Sequence, residues 1–76
     1  MRTAIETYVI DQIKELRHNH NMSQAELGFQ LGVTAGFIGK VESPNSSAKY
    51  NLNHINKFAE IFDVSPQSLL PPKYLK

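Results

Sequence analysis

The side chains able to do chemistry are scattered along this chain, and their spacing excludes more than it supports. Three histidines occur, His18, His20 and His54, but His18 and His20 diverge on a helix. No cysteine or carboxylate completes a ligand set, so no metal site and no cofactor is expected. Serine, histidine and aspartate are all present, yet no nucleophile motif surrounds any of them. A chain of 76 residues also leaves little room for a substrate pocket of about 300 Å³ or more. An enzyme acting on a small-molecule substrate is therefore not expected. What remains is charge. From Val33 to Ala59 the charged residues are Lys40, Lys49 and Lys57 against Glu42 alone, while Glu6, Asp11, Glu15 and Glu26 fall earlier and Glu60 and Asp63 later. This locally positive middle suits a polyanionic partner, or an ordinary solvated surface. The net charge of +1 is too small to choose between them.

The elements that must position these groups all read as helices. Ile5, Tyr8, Val9, Ile13 and Leu16 recur at helical spacing from about Thr3 to His18, with Glu6, Asp11, Gln12, Lys14 and Glu15 outward and Asn19-His20-Asn21 as the breaker. Ser23 followed by Glu26 forms a capping box that opens a second, short helix to Leu31; Leu27 and Leu31 share a face, and Gly32 suits the positive φ of a helix end. Thr34 caps a third helix running to Ser43, with Ile38 and Val41 inward. The loop Ser43-Pro44-Asn45-Ser46-Ser47 ends it. A fourth helix fits Leu52 to Phe62, capped by Asn51 or Asn53, with Leu52, Ile55, Phe58, Ala59 and Phe62 as its inward stripe. Ser65-Pro66 starts a short fifth helix through Leu69 or Leu70, which Pro71-Pro72 stops.

No strand pattern or internal repeat is present, so the fold class expected is all-α, one domain over residues 1–76. Absence of cysteine removes disulfides and suits a reducing compartment. No apolar run approaches the roughly 18–20 residues of a membrane span, and Met1-Arg2-Thr3-Ala4 does not read as a signal peptide. A cytoplasmic location without membrane contact is expected.

The segment from Ser23 to Glu42 has content beyond its helices. Small residues at Ala25 and Gly28 allow two helix axes to approach, Gly32 makes the turn, and Val33, Ile38 and Val41 fill the angle between them. Phe29 reads as a packing residue. This segment resembles the helix-turn-helix of the lambda-repressor-like (Cro/cI, Xre-type) family, and the wider resemblance covers about residues 10–70. It is carried by Leu16-Arg17, Ser23-Gln24, Leu27, Leu31-Gly32-Val33-Thr34, Ile38, Val41-Glu42, Ile55, Ala59, Val64-Ser65 and Leu69. It implies a compact five-helix domain in which helices two and three form the helix-turn-helix. Residues 1–9 would extend helix one or serve an interface, and 71–76 would form a tail.

The resemblance also implies roles. Helix three would enter the major groove of double-stranded DNA, with Thr34, Ala35, Gly36 and Lys40 facing the bases and Lys40 bonding guanine. Phe37 would be either an exposed edge against the DNA or a core residue. Ser23, Gln24, Asn45, Ser46, Lys49, Tyr50 and Asn51 would hold phosphates, Gln24 through both its side chain and its backbone amide. Arg17 and Glu42 would form a buried ion pair between helices one and three. The apolar end, Leu69, Leu70, Tyr74 and Leu75, would either pack onto helix one or make a homodimer contact, since the family commonly binds pseudo-palindromic sites as dimers. Ala35, Gly36 and Gly39 depart from the family pattern and thin the base-reading chemistry. Ser43-Pro44 follows Glu42 where the family usually has a glycine, which alters the exit from helix three. The implied function is a sequence-specific, repressor-like transcriptional regulator. The competing expectation is a protein-interaction module, such as an antitoxin or antirepressor subunit, that uses the same shape on a protein partner.

Overall fold

A computed structural model describes residues 1–76. Four α-helices, α1 (Ala4–Asn19), α2 (Gln24–Leu31), α3 (Ala35–Glu42) and α4 (Leu52–Phe62), are followed by a single 3-10 turn, Pro66–Leu69, and there are no strands. Local chemistry explains most of these boundaries. Thr3 with Glu6, Ser23 with Glu26 and Asn51 with His54 each close a reciprocal capping box at the start of α1, α2 and α4. Thr34 caps α3 by accepting the amide of Phe37 at 3.0 Å.

The expected fifth α-helix is instead a 3-10 turn. The amides of Ser68 and Leu70 reach back three residues, to Ser65 and Gln67 at 3.0 and 3.1 Å. Pro66 supplies no amide, and Pro71 forces Leu70 into an extended conformation, so a second turn never forms.

The core is one cluster in which Ile13, Leu27, Ile38, Val41, Phe58 and Leu69 are fully enclosed. Helix α1 contributes Val9, Ile10, Ile13 and Arg17, whereas Ile5 stays largely outside. Leu52 does not belong to the inward stripe of α4: it is 78% exposed, because the first turn of that helix projects past the core and burial begins at Ile55. Phe29 is no packing residue either. Two positions from both Leu27 and Leu31, it points to the opposite side of α2 and is 87% exposed.

Helices α2 and α3 meet across the turn Gly32-Val33-Thr34. Gly32 has φ +86°, and its amide and that of Val33 both return to the carbonyl of Gly28, at 2.9 and 2.8 Å. Close approach of the backbone depends on Gly28: a Cβ there would lie 3.0 Å from the Val33 carbonyl oxygen and 3.1 Å from that of Thr34. Ala25 faces solvent and takes no part in it.

Candidate nucleic-acid interface

Helix α3 buries Ile38 and Val41 and turns Thr34, Ala35, Gly36 and Lys40 outward on a continuous face. Lys40 takes part in none of the chain's ion pairs and is fully available to a partner. The Thr34 hydroxyl accepts the capping hydrogen bond and keeps its own proton free to donate. Phe37 falls on the packing side. Half-buried against the core, its ring lies 6.3 Å from Tyr50 and 5.7 Å from His54, so it does not stand out toward a groove.

A hydrogen-bonded ion pair fixes this helix from behind. The Arg17 guanidinium donates from Nε and Nη2 to the two Glu42 oxygens, both at 2.8 Å, and from Nη1 to the Met22 carbonyl, also at 2.8 Å. The two side chains are 9% and 5% exposed. Burial pushes the Glu42 carboxyl up, but hydrogen bonds from Arg17 and Gln24 and the charges of Arg17 and Lys14 outweigh it, and the group ends below the ordinary carboxylate value. Gln24 joins the pair by donating Nε2–H to Glu42 Oε1 at 3.1 Å. Its side chain is thereby drawn inward across Gly39, where a Cβ would lie 3.3 Å from Gln24 Oε1. This internal bond takes one of the two Nε2 protons that the expected side-chain contact with a phosphate could use. The Gln24 backbone amide, in the first turn of α2, remains without an intrahelical partner.

The other expected phosphate ligands separate in the same way. Ser23 spends its hydroxyl oxygen on the Glu26 amide at 3.0 Å, while Asn45 is exposed in the loop. Ser46 accepts the Ala48 amide at 3.1 Å, and the Asn51 oxygen accepts that of His54 at 2.8 Å, leaving only the amide protons of Asn51 for a ligand. Lys49 is half-exposed and paired with Glu6 at 2.9 Å. Tyr50 is a correction: its ring stands edge-on to Phe58 at 4.7 Å, and its hydroxyl is buried without a partner, out of reach of any phosphate. Burial drives that phenol far above its ordinary value; the Glu42 carboxylate adds to this while Arg17 and Arg2 oppose it.

Sequence reasoning missed Arg2, whose guanidinium reaches across to α3 and donates to the carbonyls of Lys40, Val41, Ser43 and Ala48. An isolated arginine ahead of a helix carries no signal of such a contact. At the other end of the chain, Leu69 is 1% exposed and belongs to the core, so it cannot touch a partner. Leu70 is half-buried, and Tyr74 and Leu75 are exposed. Leu70 instead edges a shallow apolar groove of about 150 Å³ with Ile5, Val9, Leu52 and Ile55. No group of acidic, histidine or cysteine side chains is arranged to hold a metal ion, and no helix is long and apolar enough to cross a membrane.

Two short helices locked at a glycine turn, with one presenting an open face, define a small helix-turn-helix domain. Among solved structures the chain is similar to the restriction-modification controller protein C.AhdI from Aeromonas hydrophila, with 29% sequence identity and a TM-score of 0.66, covering 82% of this chain and 91% of that one. It is also similar in fold to part of the hydroxypropylphosphonic acid epoxidase from S. wedmorenis, with 22% identity, a TM-score of 0.76 and coverage of 93% of this chain. This chain spans only 37% of that epoxidase chain, so the likeness concerns the fold of one portion. No family model and no curated protein matches the sequence.

Proposed function

We propose that this chain is a DNA-binding transcriptional regulator of the lambda-repressor-like family, repressor-like in action, that places α3 in the major groove of operator DNA. The observation that carries the reading is the outward face of Thr34, Ala35, Gly36 and Lys40 on a helix braced from behind by Arg17, Glu42 and Gln24. Likeness to a controller protein over most of both chains supports it. Lys40 is the one long donor on that face and bonds the O6 and N7 of guanine, while Ala35 meets a thymine methyl. The backbone amide of Gln24, with Asn45, Ser46 and Lys49, holds the flanking phosphates. The role is binding and not catalysis, in the cytoplasm. Two copies bind a pseudo-palindromic site as a homodimer, through the surface of Ile5, Leu52, Leu70, Tyr74 and Leu75.

Selection from a random DNA library, followed by titration of the selected site against salt, tests the reading. A single enriched motif and an affinity that falls steeply with salt are expected. Lys40→Ala should relax the base preference at one position, whereas Lys49→Ala should weaken all sequences alike. No binding even at low salt removes the reading. It would favour the second one, a protein-interaction module such as an antitoxin or antirepressor subunit, for which the sparse donors at Ala35, Gly36 and Gly39 and the net charge of +1 speak.

A further inference from the structure

Helix α3 has only 8 residues and leaves its last turn through Ser43 in an extended conformation, with φ −79° and ψ 130°. A left-handed exit would fold amides back onto the final carbonyls; an extended one leaves them open. Two backbone bonds serve this exit, from the Ser43 amide to the Lys40 carbonyl at 3.1 Å and from the Ser46 amide to the Ser43 carbonyl at 3.3 Å. Arg2 supplies the rest. Its Nη2 donates to Val41 at 2.7 Å and to Lys40 at 3.2 Å, its Nη1 to Ser43 at 2.9 Å and its Nε to Ala48 at 2.9 Å. The first two acceptors end the helix, where a cation also meets the negative end of its dipole. Ser43 and Ala48 are the two sides of the following loop, so one planar group closes that loop around Pro44, Asn45, Ser46 and Ser47. A second tie lies alongside: Glu6 caps the Thr3 amide with one oxygen and takes Lys49 with the other, at 2.8 and 2.9 Å.

We propose that Arg2 is a positioning residue of the DNA-binding surface. It sets the exit of α3 and the Pro44–Ser47 loop so that Lys40, Asn45 and Ser46 address the same stretch of duplex. The inference rests on the DNA-binding reading above. Arg2 has five N–H groups, and four hydrogen bonds to carbonyls occupy nearly all of them. It therefore acts through the loop.

The test uses the full chain with Arg2→Ala and Arg2→Lys, at a temperature where core amides such as those of Ile13 and Phe58 remain protected. Amide exchange at Ser43, Ser46 and Ala48 should quicken in both variants, because a lysine keeps the charge at the helix end but cannot span the separate carbonyls. Affinity for the selected site should fall by about tenfold. The slope of affinity against salt should stay that of the parent chain, since no phosphate contact is lost. Unchanged loop exchange, or unchanged affinity beside a parent chain that binds, overturns the inference alone. A slope smaller by about one also overturns it, by making Arg2 a direct phosphate ligand. If Arg2→Ala does not fold, Arg2→Lys carries the same readings. Failure of the parent chain to bind any DNA removes the proposed function, and this positioning role with it.

Discussion

Four glycines separate backbone necessity from surface chemistry at single positions. Gly36 sits on the open face of α3, where a Cβ would meet only the Thr34 hydroxyl oxygen at 3.8 Å. Gly36→Ala should therefore raise stability by about 0.5–1 kcal/mol, the helix-propensity difference. Gly28→Ala should do the opposite, because the new methyl would press on backbone at 3.0 Å and lower stability by about 1–3 kcal/mol. Thermal melts of the two variants check both signs. A gain at Gly36 together with weaker DNA binding would mean that the missing side chain serves backbone approach to DNA. Glu42→Ala removes one half of a buried pair and strands Arg17, which should lower stability by about 3–5 kcal/mol. Against a total on the order of 5–10 kcal/mol for so small a chain, urea melts should find the midpoint of the variant sharply lowered. A midpoint equal to that of the parent would show the pair to be idle.

At the scale of elements, the start of α4 carries a pH-sensitive contact. The Asn51 amide donates to His54 Nδ1 at 3.1 Å, which requires that nitrogen to be unprotonated, and the ring packs between Phe37 and Tyr50. Burial holds the His54 pKa below its ordinary value of 6.5. The unfolded chain then takes up this proton at a higher pH than the folded one. Stability is accordingly complete above about pH 6.5, falls as the pH drops through that value, and levels off once the native histidine titrates. His54→Gln retains a capping side chain at the same position without a titrating group. It should flatten the pH dependence below about pH 6.5 relative to the parent chain, measured by denaturant melts. Equal slopes in the two proteins would dismiss His54 as the origin. Because Phe37 belongs to α3, this histidine also links the start of α4 to that helix.

For the whole molecule, the proposed homodimer needs an apolar face that the core does not use. Leu69 is spent on the core, so the apolar surface left over at this end includes the groove edged by Ile5, Leu52 and Leu70. Leu52→Glu places an acid in the first turn of α4, where the helix dipole tolerates it, and removes a side chain that nothing inside the chain covers. The melting temperature of the dilute protein should not fall, whereas self-association in sedimentation should weaken and operator affinity with it. A dimer as tight as the parent's would move the interface elsewhere.

The sequence by itself determined whatever depends on near neighbours along the chain. The N-caps at Ser23 and Thr34, the left-handed residue at Gly32 and the breaks at Pro44 and Pro71 are local hydrogen-bonding and steric facts, legible from residue type and spacing. Even there the 3-10 turn escaped, since a cap and a proline do not say which carbonyl an amide will choose. Only the tertiary structure decided which side of a helix meets the core. Leu52 and Phe29 face outward and Tyr50 inward, although hydrophobicity treats all of them alike. It alone brought Gln24 onto Glu42 and Arg2 onto the end of α3, contacts between residues 18 and 38 or more positions apart. Such pairings depend on where the packing of α1 through α4 brings each donor, and no local pattern records that.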